Sequence, residues 1–202
     1  MNNLQTRPSI AYLGIAIVLA IAVGWLLVAM HLHQSVLAVQ KSSQLLQLVA
    51  VNGAALERGA WWRLLASQFV HVHFMHMLFN LCGVLVLAVA IERAAGSVAL
   101  ALTYFIGGAV GQYFSVLLNP ELVSSGASQA MIALCAFALL GYRRFAIARH
   151  AVLLAGVLVA IQFALDIYVS GGIKPGHSFG FAAGLAIVLA MMAAGRRGEG
   201  NE

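Results

Sequence analysis

The chain has 202 residues, of which 62% are hydrophobic and only 8% are charged, and its formal net charge is +5. Since about a quarter of the residues in an ordinary soluble domain are charged, this composition excludes that class. The positive charge would suggest nucleic-acid binding in a soluble protein. In a membrane protein it is typical of loops on the cytoplasmic side, so we expect no nucleic-acid partner.

Six apolar segments follow one another along the chain, each nearly free of charged residues. A helix needs about 20 apolar residues to cross a hydrocarbon core about 30 Å thick, and most of the segments reach that length. The short alternating segments that form membrane barrels are absent from the sequence. We therefore predict an all-α, polytopic membrane protein with six transmembrane helices. They cover residues 10–30, 72–91, 98–118, 128–142, 151–170 and 177–195.

The connection between the first two helices, residues 32–70, is the longest and is only moderately polar. It carries Trp61 and Trp62, and tryptophan favours the level of the lipid headgroups. We therefore predict an amphipathic element that lies in the membrane interface.

The basic residues predict the orientation of the chain. With the N-terminus inside, the cytoplasmic segments hold more arginine and lysine than the outer segments, as the positive-inside rule requires. We therefore predict cytoplasmic termini and a place in a bacterial inner (cell) membrane. The inner residues are Arg7, Arg93, Arg143, Arg144, Arg149, Arg196 and Arg197, and the outer ones are Lys41, Arg58, Arg63 and Lys174. The domains are a cytoplasmic N-terminal tail (1–8), a membrane domain (9–195) and a polar C-terminal tail (196–202).

The fourth apolar segment is too short to cross a membrane alone. It begins at Ser128 and has about 15 residues, which gives a rise of about 22 Å. The loop before it must then enter the protein, and irregular backbone at membrane depth is tolerated only when it is buried or lines a water-filled cavity. The length of this helix thus predicts an aqueous pocket with Ser128 at its floor.

Two polar islands lie at the starts of apolar segments, Gly-Ala-Ser at 126–128 and Gly-His-Ser-Phe-Gly at 176–180. An unpaired polar side chain in hydrocarbon costs on the order of several kcal/mol, so such residues suggest a function. Ser128 and His177 can form a nucleophile with its general base, and we expect them within hydrogen-bond distance. Packing is the alternative, because serine often bonds back to its own helix and glycines four apart let helices touch.

A third polar island opens the second apolar segment, with His71, His73, His76 and Asn80. His76 and Asn80 are four residues apart and share a helix face, which offers donors to a developing oxyanion. His73 and His76 have a spacing that can bind zinc, but no acidic or cysteine third ligand appears at a helical spacing, so we expect no metal. Hydrogen bonding between helices is the other alternative for these residues.

In this order the motifs resemble the rhomboid family of intramembrane serine proteases, over about residues 58–190. The motifs that carry the resemblance are Trp62-Arg63 leading to Phe69-Val70-His71, His76-Met-Leu-Phe-Asn80, Glu92 with Gly96, Gly126-Ala127-Ser128 and His177-x-x-Gly180-x-x-x-Gly184. No single motif is specific, but the ordered set is.

The resemblance implies an endopeptidase that cleaves membrane-anchored protein substrates near the outer membrane face and needs no cofactor. It implies that Ser128 is the nucleophile and His177 the general base and acid. It also implies an oxyanion hole formed by His76, Asn80 and the Ser128 backbone amide. The implied partners are transmembrane protein substrates and membrane lipid, and the sequence indicates no oligomeric state. The small size and short tails are similar to the rhombosortase branch, thought to process C-terminal sorting tails.

Two residues depart from the family pattern. Gln129 stands where the family usually has glycine, and Ile132 stands at a position that is often aromatic and packs on the catalytic histidine. A bulky residue beside the nucleophile can crowd the oxyanion hole. The alternative function is therefore a catalytically inactive rhomboid-like protein that binds or escorts membrane helices. If the chain is active, we expect the Gln129 side chain to point away from the substrate groove.

Two further alternatives concern the catalytic residues and the class of function. The first is a catalytic triad, because Asp166 lies late in the fifth helix, from which it can approach His177. The family uses a Ser-His dyad, however, and hydration also explains an acidic residue near an outer helix end. A channel or carrier would need a polar stripe through several helices, whereas these polar groups cluster near one depth.

Overall fold

The computed structural model describes residues 11–199, and every element of regular structure among them is helical, with no strand. The helices are α1 (Tyr12–His31), α2 (Ser42–Leu48), α3 (Gly53–Glu57), α4 (Arg63–Ala66), α5 (Phe74–Ala95), α6 (Ser97–Ala101), α7 (Gly107–Leu118), α8 (Ser128–Gly141), α9 (Arg149–Ser170) and α10 (Pro175–Glu199). A 3-10 turn (Ser67–Phe69) follows α4, and a π-helical turn (Leu102–Ile106) joins α6 to α7. The all-α prediction is confirmed for these residues.

The two predicted tails fall at the limits of the described residues. The N-terminal tail, residues 1–8 with Arg7, lies outside them. Helix α10 continues to Glu199, so it extends into the segment predicted as a polar tail, and residues 200–202 lie outside the described part.

Among residues 11–199, five helical segments are long and apolar enough to cross a membrane. They are Tyr12–His31, Phe74–Ala95, Ser97–Leu118, Arg149–Ser170 and Pro175–Gly195. A further apolar helix, α8, has 14 residues, which gives a rise of only about 21 Å. The prediction of a short fourth helix is confirmed. The total of six transmembrane helices and the cytoplasmic location of the termini stay predictions.

Helix α8 lies at the centre of the helix packing. Every residue from Ser128 to Ala138 is buried, and α5, α7, α9 and α10 all pack against it. Its Met131, Leu134 and Phe137 side chains belong to the main hydrophobic core. A helix that is apolar on all sides is expected where protein surrounds it. This packing places the start of α8 inside the protein.

Two glycines bring α10 close to α8. A Cβ atom added at Gly180 would lie 2.6 Å from the Gln129 carbonyl oxygen, and one added at Gly184 would overlap the Ala133 carbonyl group. Only glycine therefore allows the two backbones to approach this closely. Since His177 lies one turn before Gly180, the approach places it beside the start of α8.

The long connection after α1 folds into α2, α3 and α4. The Arg63 guanidinium holds it together, because its Nη1 donates hydrogen bonds to the carbonyls of Leu46 (2.7 Å) and Ala50 (2.8 Å). The side chains of Trp61 and Trp62 are exposed. This arrangement is typical of an interfacial element, and its position at the headgroup level stays a prediction.

Glu92 fastens the end of α5 to the start of α1. Its buried carboxylate accepts hydrogen bonds from the backbone N–H groups of Leu13 (3.1 Å) and Gly14 (2.7 Å), and from the Ser97 hydroxyl (2.7 Å). The N–H groups of a first helical turn have no intrahelical acceptor, and the helix dipole favours negative charge there. This contact accounts for the single carboxylate of α5.

Candidate active site

The loop that enters α8 is held by three hydrogen bonds. Gly126 has a φ angle of +111°, a backbone conformation that favours glycine. Its N–H donates to the Ser67 carbonyl (2.9 Å), and its own carbonyl accepts from the Gln112 carboxamide (3.0 Å). The N–H of Ala127 donates to His71 Nε2 (3.1 Å). These bonds fix the backbone immediately before the serine that opens α8.

His71 holds this loop, a role that the sequence analysis did not assign to it. Its side chain is buried, and burial, with a smaller effect of the neighbouring His76, lowers the pKa of His71 to about 3. The ring is therefore neutral, which is the form that can accept the Ala127 N–H. The contact joins residues 56 positions apart, so no local pattern in the sequence announces it.

Ser128, His177 and Asp166 form a continuous chain of hydrogen bonds. Ser128 Oγ lies 2.9 Å from His177 Nε2, within the distance expected from the sequence, and Asp166 Oδ2 lies 2.6 Å from His177 Nδ1. All three residues are buried, with exposed fractions of 3%, 3% and 1% respectively. A carboxylate can only accept hydrogen bonds, so Nδ1 carries the ring proton. His177 Nε2 then has a lone pair that faces the serine hydroxyl.

Ser128 and His177, together with His76, line a cavity of about 530 Å³. The other polar residues of its wall are Ser115, Asn119, Ser124, Ser125, Gln129, Ser170 and Lys174. A pocket at the start of α8 was the expectation drawn from the shortness of that helix, and the structure contains it. A polar wall of this kind suits water and a peptide backbone.

His76 and Asn80 share a face of α5 but have different surroundings. His76 is exposed and lines the cavity. Asn80 is fully buried, is not part of the cavity wall, and donates one carboxamide N–H to the His76 carbonyl (2.8 Å). The structure thus brings His76 together with Ser128 and His177 around one cavity, and Asn80 does not line that cavity. The oxyanion roles of both side chains stay predictions.

The Gln129 side chain lies beside the serine hydroxyl, so the expectation that it points away from the groove is wrong. Its Oε1 is 3.2 Å from Ser128 Oγ, and its Nε2 is 3.4 Å from Ser124 Oγ. Gln112 Nε2 lies 3.5 Å from Gln129 Oε1, and Gln112 Oε1 accepts a hydrogen bond from the Ser124 hydroxyl. The physical reason is that a buried carboxamide must find hydrogen-bond partners, and these side chains supply them. Ile132, the other departure, is fully buried.

Among the side chains that the structure describes, those of residues 11–195, no three His, Cys, Asp or Glu residues cluster as a metal-binding group. His73 is exposed and precedes the first residue of α5. The zinc alternative therefore has no complete set of ligands in this part of the chain.

Comparison with known proteins assigns most of the chain to one family. The rhomboid domain matches residues 58–194, a segment that contains every candidate residue from His71 to His177. The putative rhomboid protease YdcA of Bacillus subtilis (strain 168) is 30% identical over 135 residues, which cover 66% of this chain and 64% of that protein. Rhomboid-like protease 3 of Toxoplasma gondii is 31% identical over 86 residues, or 43% of this chain and 33% of that protein.

The relatives include a protein named as inactive. The inactive RHOMBOID-like protein 8 of Arabidopsis thaliana is 32% identical over 77 residues, which cover 37% of this chain and 22% of that protein. In all three comparisons the matched segment spans less than two thirds of the relative's own length.

Proposed function

Because the chain belongs to the rhomboid family, we propose that it is an intramembrane serine endopeptidase that cleaves membrane-anchored protein substrates near the outer membrane face. Ser128 is the nucleophile, and His177 is the general base and acid. The observation that carries the proposal is the 2.9 Å separation of Ser128 Oγ and His177 Nε2, because proton transfer requires this contact.

The proposed reaction proceeds through an acyl-enzyme. His177 Nε2 takes the hydroxyl proton of Ser128 while Oγ attacks the carbonyl carbon of the scissile peptide bond. The tetrahedral intermediate collapses when His177 gives that proton to the leaving amine nitrogen, and the C–N bond breaks. His177 then takes a proton from a water molecule, whose oxygen attacks the ester, and the returned proton restores the serine hydroxyl.

The developing oxyanion is stabilised by the backbone N–H of Ser128 and by the side chains of His76 and Asn80. Ser128 opens α8, so its N–H has no intrahelical acceptor and lies at the positive end of the helix dipole. The position of His76 in the cavity wall supports its role. Asn80 uses one carboxamide N–H within its own helix, and the second N–H serves the oxyanion.

The substrates are transmembrane proteins whose helices unwind near the cleavage site. A helical carbonyl is bonded to an N–H four residues ahead, so the scissile bond must leave the helix to enter the cavity beside Ser128. Glycine or proline near the cleavage site lowers the cost of that step. Under the rhombosortase hypothesis, the substrates are proteins with a C-terminal sorting tail, which the enzyme removes.

We place the protein in a bacterial inner membrane with both termini in the cytoplasm, so that the cavity opens on the outer side. The distribution of arginine and lysine between the predicted inner and outer segments supports this orientation. The membrane domain then comprises residues 9–195, between the two tails.

A second candidate function is an inactive rhomboid-like protein that binds membrane helices. The observation that favours it is the 3.2 Å separation of Gln129 Oε1 and Ser128 Oγ. The serine hydroxyl has one proton and two neighbouring acceptors, and a hydroxyl that donates to Gln129 is not activated by His177.

Labelling with a fluorophosphonate probe decides between the two functions. The wild type is compared with Ser128→Ala, and Ser125→Ala is the matched control because Ser125 lines the same cavity. A protease is expected to label in the wild type and in Ser125→Ala, and to lose the label in Ser128→Ala. An unlabelled but folded wild type would support the inactive function.

A further inference from the structure

We propose that Asp166 is a positioning residue for His177, so that the site works as a Ser128–His177–Asp166 triad. This inference rests on the proposed protease function and goes beyond it, because the family resemblance implies a dyad of serine and histidine. It also accounts for the single carboxylate of α9, whose other charged residue, Arg149, lies at the start of the helix.

The turn between α9 and α10 brings the carboxylate to the far side of the imidazole ring. Asp166 lies about one turn before the end of α9, and Gly171, with a φ angle of +72°, ends that helix. The chain then reverses direction and enters α10, where His177 lies in the first turn. Asp166 Oδ2 thus approaches His177 Nδ1 at 2.6 Å, while Nε2 faces Ser128.

The carboxylate is itself held in place by other donors. Asp166 Oδ1 accepts from the Gln162 carboxamide (3.3 Å), and Oδ2 accepts from the Lys174 backbone N–H (3.1 Å). Asp166 is 1% exposed, so the alternative of a hydrated surface carboxylate is wrong. Burial of an unpaired carboxylate is costly, and the three donors from Gln162, Lys174 and His177 offset that cost.

A hydrogen-bond acceptor at His177 Nδ1 affects both the tautomer of the ring and the stability of its protonated form. It keeps the ring proton on Nδ1 and leaves Nε2 free to take the Ser128 proton. It also stabilises the imidazolium ion that forms during acylation. A merely structural role, in which Asp166 links α9 to the turn through the Lys174 N–H, would require neither effect.

The variant Asp166→Asn separates these two roles. Asparagine has nearly the same shape, and its oxygen can still accept the Lys174 N–H, but it lacks the negative charge. We expect kcat for a membrane-anchored reporter to fall by about 10²–10⁴-fold with KM nearly unchanged. The same oxygen accepts the His177 Nδ1–H, so the ring tautomer is tested in Asp166→Ala, which has no acceptor. In ¹⁵N-histidine-labelled Asp166→Ala protein, the His177 Nδ1–H signal of the wild type is expected to disappear. A kcat of Asp166→Asn within about threefold of wild type would overturn the proposal.

A second variant keeps the test decisive if Asp166→Asn fails to fold. Asp166→Glu retains a carboxylate on a chain one methylene longer, and we expect it to keep the Nδ1–H tautomer and at least ten times the turnover of Asp166→Ala. An Asp166→Glu protein no more active than Asp166→Ala, although folded, would contradict a role for the charge.

The tautomer measurement also separates failure of this inference from failure of the proposed function. A wild type that neither turns over the reporter nor labels with the serine probe refutes the protease function. In that protein, an Nδ1-protonated His177 that loses this proton in Asp166→Ala still upholds the positioning role. An Nε2-protonated His177 in the wild type overturns the positioning role whether or not the protein is active.

Discussion

Replacement of His71 by alanine is expected to release the loop that positions Ser128. The change removes the acceptor of the buried Ala127 N–H, and an unsatisfied buried donor costs about 1–3 kcal/mol. It also leaves a void where a fully buried ring had packed. Together the two effects are expected to lower the free energy of unfolding by about 2–5 kcal/mol. Because the loop leads directly to the nucleophile, labelling of Ser128 should slow as well.

Burial of the His71 ring makes stability depend on pH. The pKa of His71 is about 3 in the folded protein, against 6.5 for an unperturbed histidine. Between these two values the unfolded chain binds more protons than the folded one, so stability falls as the pH falls. The stability is intact above about pH 6.5 and declines towards pH 3. At pH 5 the expected loss is about 2 kcal/mol, since one pKa unit corresponds to about 1.36 kcal/mol.

Thermal unfolding of the detergent-solubilised protein at pH 7.5 and pH 5 measures both effects. His71→Gln retains a side-chain acceptor but cannot be protonated, so it should lose less stability at pH 7.5 and show a smaller decline at pH 5. His73→Ala, which removes an exposed ring two residues away, is the matched control and should behave as wild type. The reasoning is refuted if His71→Ala and His73→Ala are equally stable, or if His71→Gln keeps the full acid-dependent decline.

Four further variants test the site and its support. His76→Ala and Asn80→Ala should each lower turnover by about 10- to 1,000-fold without unfolding the protein, and full activity in either variant would reduce that residue to helix packing. Gln129→Gly should leave probe labelling similar or higher, because it removes the second acceptor beside the nucleophile; strong wild-type labelling that is lost in a folded Gln129→Gly protein would contradict this. Glu92→Gln should lower the melting temperature, by a loss of about 1–3 kcal/mol, whereas Glu121→Gln, at an exposed carboxylate, should not.

The helices and the approximate place of the site could be predicted because their signals are local. A run of about 20 uncharged residues is sufficient to indicate a membrane helix, and the shortness of the helix that starts at Ser128 is visible in the sequence. Ser128 and His177 each begin an apolar helix after a glycine, on what is predicted to be the same side, and the sequence therefore indicates that they lie close together. The packing of Gly180 and Gly184 against α8 is seen only in the structure.

The remaining contacts depend on how each helix is rotated about its axis, which the sequence does not state. The approach of Asp166 to His177 requires one face of α9 to turn towards the start of α10. The orientation of Gln129 depends on Ser124 and Gln112, which come from a loop and from a different helix. Such contacts are set by packing over the whole bundle. The sequence therefore left the role of Asp166 open and led to a wrong prediction of the direction of the Gln129 side chain.

Cleavage of a membrane-anchored reporter by protein reconstituted into lipid vesicles tests the central claim most directly. The reporter carries a transmembrane helix with glycine near its outer end, and mass spectrometry locates the new terminus. We predict that the wild type and Ser125→Ala cut the reporter within or next to that helix, and that Ser128→Ala and His177→Ala do not. Undiminished cleavage by Ser128→Ala, or no cleavage by a folded wild type with any such reporter, would contradict the claim.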